Sequence, residues 1–292
     1  MAIKQISFYI FYFFAAFVFF AILCFPQEQA GEQLSNRLSK ISPDISIQME
    51  KATPILLSGV DCKKTKIILG NTFSIPFDTF ELHFSILDLL KQKKNMGFSG
   101  TLLKGTLNGK TEAISFSRND FSKLELDLTG LHIERFNYKT PDADMDIAYD
   151  LTGNATCQND NDQTETKGII LLTHVVVGMK DSIFNRMGID TLEFSRIEID
   201  YLLDRQLLTI PKCIATGNVM TLRLKGTLTL TTNPFESLEN SSLDLKGFMQ
   251  PQPGSIPKLA SLSSMATLFK DNMQQGIPIQ ITGSFKDPKI NL

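Results

Sequence analysis

The sequence lacks an excess of charge of either sign. It has 29 lysines and arginines against 31 aspartates and glutamates, which leaves a formal net charge of −2. A protein that is drawn to nucleic acid or to an anionic membrane surface carries a basic excess, because phosphate contacts dominate that kind of binding. Basic residues are also scattered along the chain without interleaved aromatic residues. The sequence therefore predicts no nucleic-acid partner.

Catalytic and metal-binding patterns are also missing. The three histidines, His83, His132 and His174, each stand alone, with no cysteine, histidine or carboxylate at ligand spacing. Residues 97–100 read Gly-Phe-Ser-Gly, which is not the Gly-x-Ser-x-Gly of a nucleophile elbow. The glycines at positions 100 and 105 are followed by threonine where a phosphate-binding loop needs lysine. We therefore predict a protein that is not an enzyme, with no catalytic residue, no metal and no cofactor.

Tryptophan is absent and cysteine is scarce, with four residues in the whole chain. Cys24 falls in an apolar N-terminal segment, and the others are Cys62, Cys157 and Cys213. Three is an odd number, so these can form one disulfide at most. Two interpretations stay open: three small thiols that are buried or half-buried, or a bridge between Cys157 and Cys213 with one thiol left over.

The longest apolar run in the chain, residues 6–25, contains no charged side chain. As a helix with a rise of about 1.5 Å per residue, it would cross a hydrocarbon core of about 30 Å. A cleaved signal peptide usually has a shorter apolar core, about 7–15 residues, followed by a small-residue cleavage site, which this run lacks. We predict an uncleaved transmembrane helix, with residues 1–25 as cytoplasmic tip and anchor. Lys4 favours a cytoplasmic N-terminus, which would place the body in a bacterial periplasm.

Residues 26–42 are predicted to form an amphipathic stalk helix. Leu34, Leu38 and Ile41 follow one another at helical spacing, and Pro43 ends the pattern. The narrow apolar stripe indicates a helix that packs against the body of the protein. Packing against a helix of a partner is the alternative.

The remaining residues, 43–292, are predicted to form one β-rich domain. Glycine, serine, threonine and asparagine separate short apolar runs, and many runs alternate between apolar and polar residues. Short helices are predicted at 86–90 and 255–275. The fold class is therefore mainly β: a single N-terminal transmembrane helix, then a long curved antiparallel sheet, either a groove or a roll, with a few short helices.

Three local patterns make sharper predictions about this sheet. Asn108-Gly109 is a strong hairpin signal and predicts a turn between strands at 98–107 and 113–117. The apolar positions change parity between Phe194 and Ile197, which predicts a β-bulge. Lys-Gly-Thr-Leu occurs at 104–107 and again at 225–228, which predicts two hairpins built alike.

The order of these elements resembles the type II secretion system protein N family. The resemblance rests on the membrane exit Phe25-Pro26-x-Glu28 with its leucine-bearing helix, and on the leucine helix before a glycine-containing hairpin. It rests also on the block at 207–230, which ends in Leu-x-Leu-x-Gly-Thr-Leu-x-Leu, and on Leu-Asp-Leu-Lys-Gly at 243–247. The chain closes on Gly-Ile-Pro-Ile-x-Ile-x-Gly-Ser-Phe-x-Asp-Pro at 276–288. Its last part, Gly-Ser-Phe-x-Asp-Pro at 283–288, is similar also to AsmA-like envelope proteins. The order of elements, over essentially the whole chain, carries the resemblance.

The first resemblance implies an inner-membrane-anchored accessory subunit of the type II secretion machinery, which exports folded proteins across the outer membrane. Its partners would be the inner membrane and other secretion subunits. The family has no catalytic or metal-binding residues, so the resemblance assigns no such role to any residue of this chain. The second resemblance implies an alternative, a periplasmic groove that binds or transfers lipid acyl chains.

A groove of this kind would be lined by the inward leucines of the alternating strands. The candidate lining residues are Leu124, Leu126, Leu128, Leu222, Leu224, Leu228 and Leu230. Because a packed core and an open trough need the same period of two, the pattern predicts one apolar face and leaves open whether that face is filled.

Overall fold

The structure is a computed structural model that describes Phe13 and residues 24–38, 45–55, 58–69, 73–84, 95–115, 120–140, 143–160, 163–179, 190–231, 240–252 and 276–291. Among these residues, no helix combines the length and the hydropathy needed to cross a bilayer. Most of the predicted membrane segment 6–25 lies outside the described residues, as do the predicted helices at 86–90 and 255–275. The chain divides into two compact units, Met1–Gly100 and Thr101–Leu292.

The first unit contains one described helix and seven strands, the last of which crosses the division between the units. They are α1 (Gln27–Leu38), β1 (Ile45–Gln48), β2 (Lys51–Ile55), β3 (Gly59–Lys63), β4 (Lys66–Leu69), β5 (Phe73–Pro76), β6 (Thr79–Phe84) and β7 (Asn95–Leu102). Strands β1, β4 and β5 form a small sheet, and β2, β3, β6 and β7 are neighbours in a second one.

Helix α1 lies within the predicted stalk, 26–42, of which residues 39–42 are outside the described residues, and it packs against β1 and β2. The backbone N–H of Met49 donates a 2.9 Å hydrogen bond to Ser35 Oγ, and Lys51 Nζ lies 3.2 Å from Glu28 Oε1. Gly31 is buried, and a Cβ added there would lie 3.2 Å from the carbonyl oxygen of Glu50. These contacts agree with the first interpretation of the stalk, in which the helix packs against the body of the same chain.

The core of the first unit is small and fully enclosed. Ala52 and Cys62 expose 0% and 1% of their surface, and Phe80 packs edge-on against Phe77 with ring centroids 5.2 Å apart. The buried Thr65 donates its hydroxyl hydrogen to the carbonyl oxygen of Cys62. Burial raises the pKa of the Cys62 thiol to about 11, so this cysteine stays protonated and unreactive at neutral pH.

The second unit is a long antiparallel sheet, which confirms the mainly β fold class. Its strands are β8 (Gly105–Ser115), β9 (Asp120–Thr140), β10 (Ala143–Asp160), β11 (Gln163–Met179), β12 (Thr191–Asp204), β13 (Leu207–Gly217), β14 (Met220–Thr229), β15 (Ser242–Pro251), β16 (Ile277–Ser284) and β17 (Pro288–Asn291). Each strand pairs with the next one along the chain. The side chain of Tyr138, near the end of β9, donates a hydrogen bond to the carbonyl oxygen of Phe285, between β16 and β17.

The predicted turn at Asn108-Gly109 is wrong. Both residues lie inside β8, opposite Asp127 and Leu126 of β9. The chain turns instead at Leu103 and Lys104, whose φ values of 49° and 63° are those of a type I′ turn. A two-residue turn of this type matches the twist of the flanking strands, and the long pairing with β9 outweighs the local preference for Asn-Gly.

The predicted bulge is confirmed, whereas the predicted repeat is not. Phe194 pairs with Gly217 and Arg196 with Thr216, so Ser195 is the extra residue that shifts the apolar parity of β12. The two copies of Lys-Gly-Thr-Leu have different surroundings. The first copy begins in the turn before β8, and the second lies wholly within β14, where Gly226 faces Leu245.

All four cysteines are free. Cys157 lies on β10 and Cys213 on β13, which are separated by three strand spacings. At about 4.8 Å per spacing this is about 14 Å in a flat sheet, whereas the Cα atoms of a disulfide are about 4.4–6.8 Å apart. The bridge between Cys157 and Cys213 is therefore ruled out.

Candidate functional site

One face of the long sheet is apolar from β9 to β16. Residues that pair directly across antiparallel strands share a face, so the register can be followed from strand to strand. One row of paired residues runs through Leu131, Leu151, Leu172, Ile197, Ala215, Leu222, Met249 and Ile277. A second row runs through Leu128, Gly153, Ile170, Ile199, Cys213, Leu224, Gly247 and Ile279. A third runs through Leu124, Cys157, Thr166, Leu203, Leu208, Leu228, Leu243 and Gly283.

The register brings six of the seven predicted lining leucines to this apolar face. Leu124 and Leu128 of β9 lie in the same rows as Leu228 and Leu224 of β14, and Leu126 lies between those rows. Leu222 also faces this side, opposite Met249. The seventh, Leu230, lies one residue beyond β14, where its backbone N–H donates to the carbonyl oxygen of Gln206.

Burial differs along the apolar face. A cluster of fully buried side chains lies at one end, and its members are Val175, Leu192, Phe194, Ala215, Met220, Met249 and Ile277. Leu222 packs against this core end, and Leu228 is also buried, with 4% of its surface exposed. Leu124, Leu126, Leu128 and Leu224 are only half-buried. We refer to these four leucines as the open leucines.

Glycines interrupt the apolar face close to the open leucines. A Cβ added to Gly168 would lie 2.0 Å from the carbonyl oxygen of Asn154, and one added to Gly247 would lie 1.8 Å from that of Arg223. Because these distances are far below any normal contact, the backbone approaches too closely for a side chain at either position. The face therefore carries no side-chain bulk at these points.

The open part of the face also has almost no charge. Burial raises the pKa of Cys213 and of Tyr201, which keeps both groups neutral, and the Tyr201 hydroxyl donates to the carbonyl oxygen of Asn154 at 3.3 Å. Such a surface is chemically suited to an apolar ligand or to an apolar partner surface.

A polar cluster on the opposite face was missed by the sequence analysis. Nδ1 of His132 lies 2.7 Å from Oδ1 of Asp150, and Nδ1 of His174 lies 2.9 Å from Oδ2 of the same carboxylate. The three residues belong to β9, β10 and β11, and a bulge opposite Tyr149 turns the His174 backbone to a φ of 51°. Two of the three histidines predicted to stand alone, His132 and His174, are therefore joined through one aspartate.

The electrostatics of this cluster follow from its hydrogen bonds. The bonds from His132, and then from His174, hold the pKa of the Asp150 carboxyl below its ordinary value. Both imidazoles direct Nδ1 to the same carboxylate. Within the described ranges, no group of three or more histidine, cysteine or acidic side chains could hold a metal ion. The sequence offered no signal for the cluster, because its members are 18 and 24 residues apart and only the sheet register brings them together.

Comparisons of the chain with protein families, with curated proteins and with solved structures found no match.

Proposed function

We propose that the protein is a membrane-anchored envelope protein that acts by binding, with the open leucines holding lipid acyl chains. Residues 6–25 would anchor it in the inner membrane and place the sheet in the periplasm. The single observation that carries the proposal is the half-buried apolar face, on which Leu124, Leu126, Leu128 and Leu224 share one side of the sheet. Each methylene group buried there contributes about 0.8 kcal/mol.

The contact between Tyr138 and Phe285 supports a groove over this face. Tyr138 lies in β9 and Phe285 directly after β16, and these strands are separated by seven spacings, which would be about 34 Å in a flat sheet. Tyr138 pairs with Met145, whose side chain packs against the apolar core, so the tyrosine leaves the sheet on its apolar side. A sheet that brings the two together has to bend over its apolar face, which favours a trough in place of a flat surface.

Photocrosslinking in living cells tests the proposal on the full chain. A photoreactive phenylalanine analogue at position 126 or 224 should form lipid adducts that mass spectrometry detects on the purified protein. The matched controls are positions 125 and 127, since Glu125 and Asp127 flank Leu126 along β9 and face the other side of the sheet. Lipid adducts at all four positions, or at none, would contradict a lipid-binding apolar face.

A second candidate function is that of an accessory subunit of the type II secretion machinery. It is favoured by the free edge of the described sheet at β17, a four-residue strand that pairs with β16 on one side. Ile290 on this strand is 60% exposed. The backbone of an edge strand offers hydrogen-bond donors and acceptors to an added strand of a neighbouring subunit or of an exported protein.

The two candidates make different predictions in the same cells. As a secretion subunit, the protein should crosslink from position 290 to other secretion subunits, and deletion of its gene should remove exported enzymes from the medium. Unchanged secretion in the deletion strain would reject this function. Lipid adducts at 126 and 224 would still support the acyl-chain proposal in that case.

A further inference from the structure

An open pocket of about 440 Å³ lies beside β14, β15 and β16, close to the end of β17. Its lining residues are Lys225, Lys246, Gly247, Phe248, Pro278, Ile279, Gln280 and Asn291. Lys225, Lys246, Gln280 and Asn291 pair with one another in a continuous row across the four strands. This row lies on the polar face of the sheet, because Leu224 and Gly226 on either side of Lys225 belong to the apolar face.

The two lysines are placed in a way that costs stability. Lys225 and Lys246 pair directly, and like charges in such a pair destabilise the sheet. Lys246 Nζ lies 3.7 Å from Oδ1 of Asp244, an oxygen that also accepts a 3.2 Å hydrogen bond from Gln280 Nε2. Among the residues that the structure describes, Lys225 has no acidic partner, and Asp244 is the one carboxylate near Lys246.

Further groups around the pocket suit an anion with an apolar part. Arg223 is exposed and precedes Lys225 by two residues on the same face, where it pairs with Phe248. Phe248 is 52% exposed and pairs with Pro278, which gives the pocket one apolar wall. The side-chain amide of Asn291 adds neutral donors at the far end of the row.

We propose that this pocket binds a phosphate group. A phosphate carries a charge of about −1.5 to −2 and several strong acceptor oxygens, which suits two lysines at directly paired positions with an arginine and an amide beside them. The phosphate can belong to a lipid headgroup or be free in solution, and the chemistry of recognition is the same. The proposal is independent of acyl-chain binding, because the pocket and the open leucines lie on opposite faces.

The test uses the full chain in nanodiscs of phosphatidylcholine, titrated with inorganic phosphate and, separately, with a soluble short-chain phosphatidic acid. Lys225→Gln and Lys246→Gln should each weaken binding of both probes by about tenfold or more, since a hydrogen bond to a charged group is lost. Added salt should weaken binding in the wild type. Lys167→Gln is the matched control, because Lys167 is an exposed lysine on the same face at β11.

The two probes separate the two sources of phosphate. Tighter binding of phosphatidic acid, reduced by Phe248→Ser, identifies a lipid headgroup, whereas equal binding of the two probes identifies a free phosphate. Phosphate binding that is absent, or that is equally tight in the Lys225→Gln and Lys246→Gln proteins, would overturn the proposal. An equal loss in Lys167→Gln would overturn it too, since the effect would then be one of overall charge.

Discussion

Two parts of the apolar face contain the same residue types but are buried to different degrees. At the core end, Phe194, Met249 and Ile277 are fully enclosed, whereas Leu126 and Leu224 in the open part are half-buried. Both regions alternate apolar and polar residues along their strands. The difference teaches that alternation specifies which side of a sheet is apolar, whereas covering depends on how distant strands approach one another.

The largest effect should come from truncating the core end. Phe194→Ala should lower the free energy of unfolding by about 3–5 kcal/mol, because it removes buried surface and leaves a cavity. Leu126→Ala should cost less than about 2 kcal/mol, because Leu126 is only half-buried. Denaturant unfolding followed by far-UV circular dichroism measures both. Equal losses would show that the two regions are one packed core.

Glycine positions sharpen the same comparison. Gly168→Ala, in the open part of the face, should lower the free energy of unfolding by about 1–3 kcal/mol, because the new Cβ would strike the Asn154 carbonyl oxygen and approach the Tyr201 hydroxyl. Gly178→Ala on the same strand is the matched control, since its Cβ would lie 3.7 Å from the nearest atom, the carbonyl oxygen of Asp146. Thermal unfolding of the two variants compares them directly, and a tolerated Gly168→Ala would contradict the close backbone approach.

The hydrogen bond from Tyr138 to Phe285 links β9 to the turn after β16 across the bend over the apolar face. Tyr138→Phe removes the donor to the Phe285 carbonyl oxygen and should cost about 1 kcal/mol in the free energy of unfolding. If the bend also forms the groove, the variant should give fewer lipid adducts from a crosslinker at position 126. If neither the stability nor the lipid adducts change, the hydrogen bond from Tyr138 contributes to neither the bend nor the groove.

The smallest effect concerns the polar face behind the same strands. The pKa of Asp150 is held down by His132 and His174, so the ionised carboxylate stabilises the fold above the unfolded pKa of about 4, and this contribution is lost as the pH falls through the lower folded value. Asp150→Asn should therefore flatten the acid side of the stability profile. Unfolding measured from pH 7 down to pH 2 should show this change, whereas Asp127→Asn, which alters an exposed aspartate on β9, should keep the slope. A wild-type slope in Asp150→Asn would argue against the cluster.

Local patterns predicted the features that depend on a few neighbouring residues. The change of parity between Phe194 and Ile197 was enough to place the bulge at Ser195, because an extra residue in one strand shifts every later side chain to the other face. Asn108-Gly109 failed for the opposite reason. Its turn preference is local, and the pairing of β8 with β9 extends through both residues and outweighs it.

Contacts between distant strands were beyond the reach of such patterns. Ordinary strand positions are occupied by His132, Asp150 and His174. Their spacing in the sequence does not indicate that both histidines bond to the carboxylate of Asp150. The facing lysines Lys225 and Lys246 are 21 positions apart by their numbering and meet only through the register of β14 and β15.

The sequence by itself determined that the body is a sheet and that Leu124, Leu126, Leu128, Leu222, Leu224 and Leu228 face one side of it, because a strand turns successive side chains to opposite faces. Only the tertiary structure decided that the sheet encloses Phe194 and leaves Leu126 partly accessible, and that two histidines and two lysines meet across strands on the other side. Those features depend on register and bending, which hydrogen bonds between strands far apart in the chain set together.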